Sequence, residues 1–111
     1  MNKVLLVNPP TGSRTYASVM PPLGILYVDS YLRSRGEDPL FIDLNAGAHW
    51  QKRLDAGVMT ALPDIAGITS NVSNYGMSLR IARMIKKLRR GVVTVAGGPL
   101  PSVRPDLYLN H

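Results

Sequence analysis

Apolar residues are grouped along this chain in two alternating patterns. Short, nearly continuous apolar runs occur at Lys3 to Val7 (KVLLV), Pro39 to Leu44 (PLFIDL), Ile65 to Thr69 (IAGIT) and Val92 to Ala96 (VVTVA). Such runs suit parallel strands covered on both faces. Between them lie longer segments with helical spacing. The clearest predicts a helix from Tyr75 to Arg90, with Met77, Ile81, Met84, Ile85 and Leu88 on one stripe and Gly91 ending it. Pro22 to Gly36 predicts a first helix, with Leu23, Leu26, Tyr27, Tyr31 and Leu32 inward and Gly36 as its C-terminal cap. Ala46 to Leu62 predicts another, with Trp50, Leu54, Val58 and Met59 inward, and a short helix started by proline is expected over Ser102 to Leu109. Strands alternating with helices imply a parallel sheet with right-handed crossovers. The alternation stops where a fifth strand is expected, so residues 1–111 read as most of one domain.

Ligands of open α/β sheets bind beyond the carboxyl ends of the strands, near the switch in strand order. Those ends are NPPTGS after the first strand, SNVSNYG after the third and GGPLPS after the fourth, all small or polar. The opposite edge carries GED, LPD and RRGV. In the fourth segment β-branched residues run directly into Gly97 and Gly98. Two readings fit: a tight exit turn, or a backbone kept free of Cβ atoms so that another surface can approach.

Composition narrows the chemistry. The 111 residues are 45% hydrophobic and 18% charged, as in an ordinary globular chain. The apolar runs are too short to span a membrane, and the N-terminus lacks the apolar core of a signal peptide, so a cytoplasmic location is expected. The net charge is +6, and six of the thirteen basic residues lie on the third predicted helix, at Arg80, Arg83, Lys86, Lys87, Arg89 and Arg90. Cations near a helix C-terminus complement its dipole. No aromatics are interleaved with them as a single-strand binder would require, which speaks against nucleic acid. The sequence has neither G-x-G-x-x-G nor G-x-x-x-x-G-K-[ST], so dinucleotide and P-loop sites lack their loops. Asp43 reads as a turn cap, His49 as a surface or partly buried residue, and no catalytic or metal-ligating set can be assembled. There are no cysteines, so the chain itself holds no disulfide and no cysteine-ligated cluster.

Taken together and in order, KVLLVNPP, PPLGILYVDSYLRSRG, FIDLNA, PDIAGITSN, SLRIARMIKKL and VAGGPLPSV resemble the N-terminal cobalamin-binding domain of the cobalamin-dependent radical S-adenosylmethionine enzymes. The resemblance spans nearly the whole chain. It implies an α/β, flavodoxin-like doubly wound parallel sheet, here cut short after the fourth strand. It also implies cobalamin as cofactor, with the nucleotide tail in a slot lined by a serine after the third strand and a Gly-Gly after the fourth. Ser70-Asn71-Val72 and Gly97-Gly98 stand at those places, with 24 residues between Val72 and Gly97. A ring nitrogen of the tail needs a hydroxyl within hydrogen-bonding reach, for which Ser70 or Thr69 would serve. The implied cofactor-binding set is Asn8, Pro9, Pro10, Leu23, Gly24, Thr69, Ser70, Asn71, Val72, Gly97, Gly98 and Pro99.

Two departures qualify the likeness. The D-x-H-x-x-G motif that ligates cobalt is absent, which implies binding with the tail displaced and no protein histidine on the metal. Leu100 also stands where relatives often carry histidine. The iron–sulfur cluster and S-adenosylmethionine would belong to a radical domain or partner chain downstream of His111. The competing expectation is a flavodoxin-like interaction remnant without cofactor, forming a homodimer through the open edge of its fourth strand.

Overall fold

Four parallel strands form one sheet in the order β2-β1-β3-β4. They are β1 (Val4–Asn8), β2 (Leu40–Asp43), β3 (Ile65–Thr69) and β4 (Val93–Gly97). The structure is a computed structural model that describes residues 3–10 and 22–109. The loop after the first strand, residues 11–21, lies outside them. Strand order reverses between β1 and β3, where the chain passes back across β1 to build the other half of the sheet. The fold is α/β, as the alternation predicts, and flavodoxin-like, as the resemblance implies.

The helices are α1 (Leu23–Ser34), α2 (Trp50–Ala61), α3 (Tyr75–Leu88), α4 (Pro99–Val103) and α5 (Asp106–Leu109). Side chains alternate across a strand, and the two sheet faces are used differently. Leu5, Val7, Ala66 and Ile68 join Leu54, Val58, Ile81 and Ile85 in the main core, between the sheet and α2 and α3. Leu6 is buried outside that cluster, on the other face, which α1 covers through Ile25. The expected inner stripes of α2 and α3 hold for Leu54, Val58, Ile81 and Ile85, whereas Met59 is exposed. The guanidinium of Arg80 lies 5.3 Å from the Trp50 ring and ties α3 to α2.

The first helix turns a different face inward from the one its sequence suggests. Ile25 is buried, while Tyr27 and Tyr31 are 74% and 63% exposed. A helix that is apolar nearly all round carries little phase information of its own, so its connections set the rotation. Arg33 donates to Asp29 at 3.1 Å, to Asp38 at 3.1 Å and to the Pro39 carbonyl at 2.7 Å, fastening the end of α1 to the start of β2. Glu37 N–H bonds to Leu32 C=O at 3.0 Å and Gly36 N–H to Arg33 C=O at 3.1 Å. That is a Schellman closure with Gly36 at φ +87°. The single helix expected over Ser102 to Leu109 is instead two short ones, parted at Pro105, which has no N–H to continue a ladder. Among the described residues no helix is long and apolar enough to cross a membrane.

Candidate cofactor-binding site

Beneath α1, at the carboxyl end of the sheet, lies a cavity of about 250 Å³. Its roof is Gly24, Ile25 and Val28 of α1, and its floor is β3 and β4 with Gly67, Gly97 and Gly98. Leu6 closes it on the β1 side and Val95 on the β4 side. The cavity therefore sits beside the reversal of strand order, where open α/β sheets take ligands. Glycine opens the roof and most of the floor: a Cβ at Gly24 or Gly97 would meet nothing within 4 Å. At Gly67 it would come within 3.0 Å of the Leu6 side chain.

Gly97 and Gly98 do different work. Gly97 has an ordinary backbone and leaves space open in the floor. Gly98 sits at φ +120°, ψ −171°, a region essentially closed to other residues. A Cβ there would stand 2.6 Å from the Ser70 carbonyl oxygen. Gly98 thus fits the tight-turn reading, while Gly97 borders open space at the sheet surface.

The two candidate hydroxyls separate in the same way. Thr69 follows Gly67 on the α1 face and is the polar side chain among the cavity's described lining residues. Ser70 points to the opposite face and is fully buried. Its Oγ lies 2.8 Å from Ser78 Oγ and 2.6 Å from Tyr108 Oη. Ser78 gives its proton to the Tyr75 carbonyl at 2.7 Å. Ser70 must then donate to Ser78, and Tyr108 to Ser70, since each hydroxyl has one proton. No proton remains on Ser70 for a ligand nitrogen in this arrangement.

The other expected site residues ring the same edge. Asn8 ends β1 and donates from Nδ2 to Asp43 Oδ1 at 2.9 Å, and Asp43 also accepts the Asn45 N–H at 3.0 Å, capping the turn after β2. Pro9 and Pro10 are buried behind it, while Leu23 is exposed at the start of α1. Asn71 Oδ1 accepts from Ser73 Oγ at 2.7 Å and from Asn74 N–H at 3.0 Å. That holds the β3–α3 turn and leaves Val72 projecting into solvent. Pro99 begins α4 on the exposed side of the Gly98 turn. Sequence reasoning missed Leu6, Ile25, Val28, Gly67, Ile68 and Val95. Only Gly67 carried a signal, as a glycine inside a strand. Among the described residues no three His, Cys, Asp or Glu gather to hold a metal ion.

Comparison with known proteins gives a consistent answer. The family model of the B12 binding domain matches residues 11–111. The chain is 27% identical over 99 residues to the anaerobic magnesium-protoporphyrin IX monomethyl ester cyclase of Rubrivivax gelatinosus. The match covers 86% of this chain and 18% of that protein, so the chain spans about a fifth of the relative's length. No solved structure matches.

Proposed function

The chain belongs to the B12-binding domain family, and on that premise we propose that the cobalamin it binds lies with its nucleotide tail in the cavity beneath α1, leaving the cobalt without a histidine from this chain. The observation that carries this reading is the glycine lining: Gly24 in the roof and Gly67 and Gly97 in the floor leave open a slot that side chains would otherwise fill. A flat heteroaromatic group fits a narrow apolar slot, because stacking against backbone buries both its faces. The Thr69 hydroxyl is the donor for the tail's ring nitrogen. Asn8 and Asn71, at the ends of β1 and β3, offer amide groups at the rim where the corrin's own amides would sit.

The loop after β1 contains no histidine, and the chain contains no cysteine. When bound, cobalamin would supply a reducible cobalt centre able to carry an alkyl group. Methyl transfer or a related radical reaction belongs to a radical S-adenosylmethionine domain or partner chain, which supplies the iron–sulfur cluster. The role of this chain is to hold the tail, exclude water from beneath α1 and present the corrin at the sheet's carboxyl edge. β4 is an edge strand paired only with β3, and Val93 on it is 58% exposed, which further supports pairing of this strand with a second copy.

The test is an absorbance titration with hydroxocobalamin followed by desalting. Retained colour with the spectrum of a displaced tail is the expected result. A folded sample that retains nothing would refute the proposal.

A further inference from the structure

We propose that Tyr108, which lies outside the slot, is a positioning residue that sets the slot's floor; the proposal rests on the slot being the seat of cobalamin's tail. The chain leaves the floor at Gly98, makes α4 and α5, and comes back to β3 at Tyr108. There the phenol donates to Ser70 Oγ at 2.6 Å, the first link of the one-way relay through Ser78 to the Tyr75 carbonyl. The return is fastened twice more. Tyr75 Oη donates to the Leu107 carbonyl at 2.9 Å, and the two tyrosine rings meet edge to face with centroids 5.4 Å apart. Arg104 donates to both carboxylate oxygens of Asp106, at 2.9 and 2.8 Å. That hydrogen bonding holds the Asp106 carboxyl below its ordinary pKa.

Ser70 is where this loop meets the floor. Its N–H bonds to the Gly97 carbonyl at 2.8 Å, and its own carbonyl oxygen is the atom a side chain on Gly98 would strike. It also directly follows Thr69. Fixing the Ser70 side chain therefore fixes three parts of the slot together: the Thr69 hydroxyl, the spacing of β3 from Gly97, and the turn at Gly98. Ser70 and Ser78 are buried while Tyr108 is half-buried, so the acceptor left unfilled when the phenol is removed is the buried Ser70 Oγ, which then carries a desolvation cost.

Tyr108→Phe removes one oxygen and keeps the ring against Tyr75. The test compares binding of cobalamin with binding of cobinamide, the same corrin without its nucleotide tail. The unaltered protein should prefer cobalamin; equal binding of the two would overturn the slot reading itself. Given that preference, Tyr108→Phe should weaken cobalamin binding by roughly three- to tenfold, the worth of one hydrogen bond, and leave cobinamide binding unchanged. An equal loss for both ligands would mark Tyr108 as merely structural, and no loss for either would remove it from the site. Either result overturns the proposal. Ser78→Ala breaks the relay one link further on and should lower the same preference in the same direction. If it does not, the relay is not the means of positioning.

Discussion

The strongest discrimination comes from placing side chains on the two adjacent glycines. Gly97→Leu puts an isobutyl group into space where a Cβ meets nothing within 4 Å, on a residue whose φ is not in the left-handed region. The fold should tolerate it, because replacing a glycine at a compatible backbone position commonly gains about 0.4–1 kcal/mol through the unfolded state. The slot, at about 250 Å³, should not accommodate both the leucine and a heteroaromatic tail. An aromatic-sized group buries on the order of 150 Å², and if about half of that contact is lost at about 25 cal/mol per Å², binding weakens by about 2 kcal/mol. That corresponds to roughly thirtyfold in Kd.

Gly98→Ala reverses the pattern. Its φ of +120° costs about 1–3 kcal/mol for any residue with a Cβ, and the 2.6 Å approach to the Ser70 backbone oxygen adds a displacement that no rotamer relieves. For a domain of this size each kcal/mol lowers Tm by about 4–8 °C, so Tm should fall by on the order of 10 °C. The assay is thermal unfolding of both variants alongside hydroxocobalamin titration of the folded fraction. A Gly97→Leu protein that stayed folded and bound cobalamin with unchanged affinity would refute the slot. A Gly98→Ala protein as stable as the parent would refute the assignment of that glycine to the backbone.

Two further predictions concern neighbouring features. Thr69→Val should weaken cobalamin binding by about fivefold, one hydrogen bond, with little change in Tm, whereas Ser70→Ala should lower Tm by stranding Tyr108 and Ser78; the opposite assignment of the two effects would return the ligand contact to Ser70. Val93→Lys, on β4 but outside the slot's lining, puts a charge on the open edge strand, a natural device against strand pairing. If β4 pairs with a second copy, light scattering should show the parent as a dimer and the variant as a monomer, and a monomeric parent would dismiss that reading.

Much of the architecture was readable from local pattern. β3 occupies the expected residues and the helix at Tyr75 starts where its stripe does, because apolar runs and helical stripes are each set by near neighbours. Asp43 was legible as a turn cap for the same reason: its partner, the Asn45 N–H, is two residues away. The first helix failed this test, since its apolar residues surround it and the Arg33 anchors that set its rotation depend on where β2 begins.

The sequence by itself determined the alternation of strands and helices, the small and polar carboxyl edge, and the presence of a double glycine there, since all of these follow from side-chain type and spacing. Only the tertiary structure decided which hydroxyl-bearing residue lines the cavity. Thr69 and Ser70 are adjacent and both carry hydroxyls, but consecutive strand residues point to opposite faces. Which face holds the slot depends on the side to which α1 crosses. The same holds for Gly97, open to the slot, and Gly98, pressed against Ser70. Tyr108 reaches Ser70 from 38 residues away, a contact that exists only because β4 and its two short helices bring the chain back over the end of β3.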